Sequence, residues 1–329
     1  MKNFNWGIIG PGQIADDFAE DLKLVEKTNH QVTAVISYKI EKAERFAELK
    51  SAPQYFDSIH EFVKHGNVDA VYISTPHPMH HKETLICLKN SIPVLCEKPM
   101  AMNYEQVKEM TETAAKNNTF LMEGMWIRFL PSIKKVLELI EKGEIGDVKQ
   151  IESSMSFVAP RDKEGRFFNP DRGGGSLLDL GIYPLYLAQL LLGHPKKIQA
   201  SAELSKEKID HECVVVSTYK DGKKAISNSS LMRELPNTAV IQGTLGTITI
   251  SKQWNEKPPE IQLEYHDGKT EVHELSWEGR GFQYEISEVE ECIQNGEIMS
   301  PKMSHGMSQE LAATMDEVRR QCGILYPFD

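Results

Sequence analysis

The stretch Trp6-Gly7-Ile8-Ile9-Gly10-Pro11-Gly12-Gln13-Ile14-Ala15 reads as an apolar strand, a glycine turn and the first turn of a helix. Its spacing is G-x-G-x-x-A. Gly10 permits a tight turn, Gly12 lets backbone approach a pyrophosphate, and Ala15 lets the helix pack close on the strand. The leading N–H groups of such a helix then meet phosphate oxygens. A turn of this kind also occurs with no ligand, so its surroundings decide its meaning. Outward from it, strand patterns over 5–9, 32–37, 70–74, 93–97 and 119–125 alternate with helix patterns over 13–26, 40–49, 81–89 and 103–116. That alternation predicts parallel βαβ units with helices on both faces, an α/β Rossmann domain over 1–125.

Beyond about residue 130 the pattern changes. A helix over 132–142 ends at Gly143, and strand-like runs follow over 212–219, 224–230, 239–242, 247–250, 261–265 and 271–275. Asp221-Gly222 and His266-Asp267-Gly268 are turn signals between strands. Amphipathic helices over 282–294 and 304–322 finish the chain. Residues 126–329 therefore read as an α+β domain with a mostly antiparallel open sheet, for substrate binding and oligomerisation. Its open face calls for a cover, which predicts a homodimer or higher homo-oligomer.

Composition removes several classes of function. The 329 residues carry 37 basic against 48 acidic side chains, a net charge of −11, which disfavours a nucleic-acid partner. The longest apolar run, 183–192, falls short of the roughly 20 residues that cross a bilayer, and its 185–192 part reads as core. Met1-Lys2-Asn3-Phe4 leads straight into a strand without a signal-peptide pattern. Cys87, Cys96, Cys213, Cys292 and Cys322 lack CxxC spacing and read as reduced thiols, which predicts a cytoplasmic protein. His77, His80 and His81 have no companion ligand cluster, so no metal is expected. Asp210-His211-Glu212 reads as a turn into a strand.

The second strand bears on which dinucleotide binds. An NAD site usually has a carboxylate near that strand's end, for the ribose 2′-hydroxyl. Here Ser37-Tyr38-Lys39 follows Ile36, and no carboxylate comes before Glu41. Ser37, Lys39 and Lys42 suit a 2′-phosphate, which favours NADP over NAD; the alternative is that both lysines are solvated helix residues. Glu97-Lys98-Pro99 places a lysine at the carboxyl end of a buried strand, where ligands of open α/β sheets sit. Downstream, Gly173-Gly174-Gly175 leads into an apolar helical run holding Asp179 and Tyr183, four residues apart and thus on one helix face. Alone, those two fit either a shared pocket or a helix acid beside a packing tyrosine.

Taken in order, Gly10–Ala15, Thr75-Pro76-His77, Glu97-Lys98-Pro99 and 173–183 resemble the glucose-fructose oxidoreductase / inositol dehydrogenase (Gfo/Idh/MocA) family. Trp126-Ile127-Arg128-Phe129-Leu130-Pro131 and Tyr326-Pro327 resemble its dimeric dihydrodiol dehydrogenase and xylose dehydrogenase branch. The resemblance implies an NAD(P)-dependent oxidoreductase acting on a secondary hydroxyl or carbonyl of a sugar, polyol or cyclic diol. It puts Lys98 beside the nicotinamide, with a lysine–proline peptide that is often cis, and makes Tyr183 the proton-transfer residue with Asp179 as its polar partner. A lysine ammonium near a phenol favours the phenolate, so the pair suits proton exchange. Cofactor contacts are implied at Gly10, Pro11, Gly12, Gln13, Ile14, Ser37, Tyr38, Lys39, Lys42, Thr75, Pro76, His77, His80, Glu97 and Lys98. Trp126, Arg128 and Phe157 are either substrate-pocket walls or core. Relatives often carry Ser-Arg-Asp where this chain has Ser37-Tyr38-Lys39, so the adenine-stacking arginine is missing. Two other outcomes within the family are a hydrolase or lyase that cycles a tightly held NAD, and a catalytically silent sensor.

Overall fold

The computed structural model describes residues 3–160, 165–327 and 329. The chain divides into two compact units: 1–126 with 278–309, and 127–277 with 310–329. The first alternates β1 (Asn3–Ile9), α1 (Gln13–Asp21), β2 (Asn29–Ile36), α2 (Ile40–Lys50), β3 (Gln54–Phe56), α3 (Ile59–His65), β4 (Ala70–Ile73), α4 (His77–Lys89), β5 (Val94–Glu97), α5 (Tyr104–Asn117) and β6 (Leu121–Gly124). Its six strands are all parallel, in the order β3-β2-β1-β4-β5-β6. That is the Rossmann order, whose reversal falls between β1 and β4. Every residue of β4 and β5 is buried, as expected of central strands covered on both faces. Phe18 of α1 lies flat on Tyr72 of β4 with ring centroids 3.9 Å apart.

The second unit contains α6 (Pro131–Glu141), β7 (Val148–Ser156), α7 (Ile182–Leu192) and the strands β8 (Lys197–Leu204), β9 (Asp210–Thr218), β10 (Lys224–Ser230), β11 (Ala239–Gly243), β12 (Gly246–Ile250), β13 (Glu260–Tyr265) and β14 (Thr270–Glu274). They form one eight-stranded sheet in the order β14-β13-β12-β11-β7-β10-β9-β8. It is antiparallel except for the β7–β10 pair. Asp221 and Gly222 both have positive φ, 61° and 74°, and close the β9–β10 hairpin as their sequence predicts. The apolar segment Pro170–Leu192 is, as a whole, long enough to cross a membrane, which corrects the shorter run read from sequence. Seventy-eight per cent of its apolar window is buried inside the protein, and α7 is core.

The chain then returns to the first unit with α8 (Phe282–Gln294), before α9 (His305–Cys322). The division expected at residue 125 therefore leaves out 278–309, which packs with the nucleotide-binding unit. One of its anchors is a buried carboxylate. Asp21, 3% exposed at the end of α1, accepts the N–H groups of Arg280, Gly281 and Phe282 at 2.8–3.0 Å. Gly281 has no side chain to cap α8, so Asp21 caps it from 260 residues away in sequence. Asp21→Ala would leave those donors unpaired in the interior, and a loss of about 2–4 kcal/mol in urea unfolding is expected.

Candidate active site

The glycine turn follows β1 as its spacing requires. Gly10 sits at φ +91°, and a Cβ there would lie 2.7 Å from Thr75, so a side chain is excluded twice over. Its N–H donates to the Ile36 carbonyl at 3.0 Å, and the Gly10 carbonyl accepts the Ser74 hydroxyl at 2.9 Å. Gly12 is different: a Cβ there would meet nothing within 4 Å. It precedes α1 without a side-chain cap among the described residues, so no capping side chain takes up the first N–H groups of that helix. A pyrophosphate fits that cradle, which holds donors with the positive end of a helix dipole and has room where a side chain would stand. Pro11 is half-buried at the turn, Gln13 and Ile14 are exposed on the first turn of α1, and Gln13 donates to Asp17 at 3.2 Å.

At the end of β2, Ser37 accepts the Lys39 N–H at 3.3 Å, and Lys39 and Lys42 are exposed. Tyr38 is 60% exposed, yet its hydroxyl donates to Glu83 of α4 at 3.1 Å. The other Glu83 oxygen accepts the Thr75 hydroxyl at 2.6 Å. Glu83 thus ties the β2 end to the β4 end. It looked in sequence like an ordinary helix polar residue, and only the fold reveals its part.

His77 and His80 are both buried, with ring centroids 5.8 Å apart. His80 faces the Pro99 carbonyl with Nδ1 at 2.9 Å and the Thr75 carbonyl with Nε2 at 2.7 Å. It therefore joins the two loops expected to flank a nicotinamide, with both ring nitrogens engaged by backbone. His81 turns outward to Glu109 at 2.8 Å.

Lys98 is half-buried and its peptide to Pro99 is cis. A layer of acids lies behind it. Glu97 accepts the Tyr72 hydroxyl and, at 3.1 Å, the Lys98 N–H. Glu123 accepts the Met100 N–H at 2.8 Å. Glu285 of α8 is fully buried, and neither of its carboxylate oxygens has a hydrogen-bond partner among the described residues. Burial pushes Glu285 well above the usual carboxylate range, with the Glu97 charge adding to it. Burial likewise raises Glu123 to about 7, against the opposing pull of the Met100 N–H and the Lys98 charge. Glu83 also rises to about 7 through burial. Native protein keeps protons on these groups that an unfolded chain releases above pH 4.5, so the stability that they themselves contribute falls as pH climbs from 4.5 to about 7. Glu123→Gln is expected to flatten that fall by about 1–3 kcal/mol in denaturant titrations across the same window.

In the second unit, the glycine run leads through a wide helical turn, Leu177–Gly181, into α7. Asp179 and Tyr183 are 4% and 7% exposed. Asp179 forms an ion pair with Arg166 at 2.8 Å, a partner that sequence spacing did not single out. Asp210, read as part of a turn, is fully buried in β9; it accepts the Ser176 hydroxyl at 2.6 Å and the Leu177 N–H at 2.7 Å. It caps the segment that carries Asp179. Tyr326 donates to the Gly174 carbonyl at 2.6 Å, which gives the Tyr326-Pro327 phrase a structural task. Phe157 packs in a cluster with Phe167, Phe168 and Leu180, the last of these next to Asp179 in the chain. Arg128 is half-buried in the same unit. Trp126, in the first unit, meets Phe282 at 5.0 Å between ring centroids, and its buried indole N–H has no acceptor among the described residues.

Residues 4–125 match a family model described as an oxidoreductase family with an NAD-binding Rossmann fold, and 133–249 match the GFO/IDH/MocA C-terminal domain. The chain belongs to the Gfo/Idh/MocA family. Among its relatives, a trans-1,2-dihydrobenzene-1,2-diol dehydrogenase from Xenopus laevis is 35% identical over 330 residues, covering 98% of this chain and 99% of that protein. Two solved structures share the fold across the whole chain. An aldose-aldose oxidoreductase from Caulobacter crescentus, complexed with glycerol, matches with a TM-score of 0.88 at 21% identity, covering 98% of each chain. A 3-ketoreductase from Actinomadura kijaniata, complexed with NADP and TDP-benzene, matches at 0.86 and 23%, also covering 98% of each. As a Gfo/Idh/MocA oxidoreductase the chain has the family's NAD-binding Rossmann domain over residues 4–125.

Proposed function

We propose that this oxidoreductase oxidises a secondary hydroxyl of a cyclic diol, sugar or polyol, or reduces the matching carbonyl, with NADP preferred over NAD. The observation that carries the reading is the whole-chain similarity to dihydrodiol dehydrogenases. A bound nicotinamide would supply the hydride acceptor or donor. Tyr183 then exchanges the hydroxyl proton, and Lys98 orients that hydroxyl and stabilises alkoxide charge as it develops. Asp179, paired with Arg166, holds the polar side of the Tyr183 helix. Trp126, Arg128 and Phe157 shape the substrate site, where aromatic faces suit the apolar side of a ring.

The preference for NADP rests on the β2 end. Lys39 and Lys42 are exposed there, and the nearest acid of α4, Glu83, is already engaged by Tyr38 and Thr75. Tyr38, fixed by that bond, stands where relatives carry an arginine and offers its ring face to an adenine. A cytoplasmic location and a homodimer or higher oligomer complete the proposal.

The test is a panel of trans-diols, aldoses and polyols with each dinucleotide, read by absorbance of the reduced nicotinamide. NADP is expected to give the higher kcat/KM, and Lys39→Glu with Lys42→Glu to lower it about 5–50-fold for NADP while sparing NAD. Activity with NAD alone would overturn the cofactor choice. Turnover without net nicotinamide reduction would favour an internal redox cycle, and binding without turnover a sensor.

A further inference from the structure

One face of α4 ties together the strand exits of the parallel sheet. Glu83 is 1% exposed there, and its carboxylate accepts two hydroxyls, Tyr38 at 3.1 Å and Thr75 at 2.6 Å. Tyr38 follows β2 and Thr75 follows β4, while β1 lies between those strands in the sheet. The Glu83–Tyr38 bond therefore passes across the exit of β1, where the glycine turn stands. His80, three residues back on the same helix face, meets the Thr75 carbonyl with Nε2 at 2.7 Å. Thr75 is thus fixed at its hydroxyl and at its carbonyl, and its N atom lies 2.7 Å from where a Gly10 Cβ would stand.

An acid buried against hydroxyls costs stability that an apolar side chain in its place would not. What Glu83 supplies is direction, because its two oxygens fix groups on either side of the glycine turn. Tyr38 is 60% exposed while its hydroxyl is engaged, so an aromatic side chain stands open to solvent yet tethered at its tip. The phenol is pushed up to about 12, first by desolvation and then by the Glu83 charge, so it keeps the proton that it donates. A base stacks readily on an open aromatic face. A free side chain loses rotamer freedom when it takes a ligand, whereas a tethered one has lost that freedom beforehand.

We propose that Glu83 is a positioning residue for the adenosine half of the dinucleotide, a role that rests on the reading of the β2 end as the adenosine side of the site. It acts through the Tyr38 ring, which receives the adenine, and through Thr75, which lines the glycine turn. Adenine is common to NAD and NADP, so Glu83 serves both alike. Discrimination between the two falls to Lys39 and Lys42, whose charge suits the 2′-phosphate. The effect of Glu83 therefore lies on dinucleotide affinity ahead of kcat.

ADP-ribose and its 2′-phosphate carry the adenosine half and lack the nicotinamide, so calorimetric titration of the full-length protein with each reads that half alone. Glu83→Ala and Tyr38→Phe are each expected to weaken both probes by about 2–10-fold, the worth of ordering one side chain. The factor should be the same for the two probes, and the double variant no weaker than Glu83→Ala. Glu83→Gln, which keeps an acceptor for one hydroxyl and offers a donor to the other, should bind as wild type does. Glu83→Ala is also expected to raise KM for NADP by a larger factor than it lowers kcat. A folded Glu83→Ala protein with wild-type affinity for both probes, or a loss confined to the 2′-phosphorylated one, would overturn the role of Glu83. If Glu83→Ala does not fold, Tyr38→Phe decides alone, and unchanged binding in it overturns the proposal. Wild type that binds neither probe would instead overturn the reading of the β2 end, and this role with it.

Discussion

Tyr183→Phe is expected to lower kcat by about two to four orders of magnitude, the usual worth of a positioned acid or base, with little change in dinucleotide binding. Lys98→Met should cost a similar factor. Combining them should cost less than the product of the two, as the proposal that both act on one proton transfer requires. The alternative is a structural role for Tyr183, which is 7% exposed on α7 beside a packed core. The two roles separate in the pH profile. A proton-transfer tyrosine imposes a limb on kcat that phenylalanine removes, whereas a packing tyrosine lowers the melting temperature and leaves the limb in place. Wild-type turnover in both single variants would end the assignment.

The second large effect concerns stability. Gly175 lies at φ +118°, and a Cβ there would meet Asp210 Oδ1 at 2.5 Å and the Tyr326 hydroxyl at 3.0 Å. Those are the groups that cap the Asp179 segment and lock Gly174. Gly175→Val therefore combines left-handed backbone strain with displacement of a buried carboxylate, and a loss of about 3–5 kcal/mol is expected. Gly143 provides the comparison. It has φ +76°, and a Cβ there would meet nothing within 4 Å, so Gly143→Ala should cost only about 1 kcal/mol. Equal losses in urea unfolding would mean that backbone strain alone, not crowding, explains Gly175.

Much of the nucleotide-binding unit was legible because its signals are local. The glycine turn and the buried runs of β4 and β5 each follow from a few neighbouring residues, whereas α4 begins at His77, four residues before the helix expected over 81–89. Elements with weak local signals escaped. Gln54–Phe56 is too short for a pattern, and β8 alternates half-buried with exposed residues, so hydrophobicity barely marks it. In β7 the buried positions include Ser153, Ser154 and Ser156, so a central strand of the second sheet carries little apolar signal. Asp21, Glu83 and Asp210 read as helix or turn acids, since nothing nearby in sequence names the backbone or hydroxyl groups that they meet. The candidate catalytic residues were legible only as an ordered set of motifs. Their immediate partners, Arg166 for Asp179 and the acid layer behind Lys98, are contacts that the fold alone supplies.

The return of residues 278–309 to the nucleotide-binding unit bears on how the protein is made. On the ribosome, all six strands of the parallel sheet emerge before residue 125, but Asp21 must wait for Arg280, Gly281 and Phe282. His30 waits as well, for Glu290 at 3.0 Å. The whole eight-stranded sheet is synthesised in the interval. The nascent Rossmann unit is thus a client in waiting, with a bare helix-docking face throughout, and a fragment cut at residue 126 would expose that face permanently.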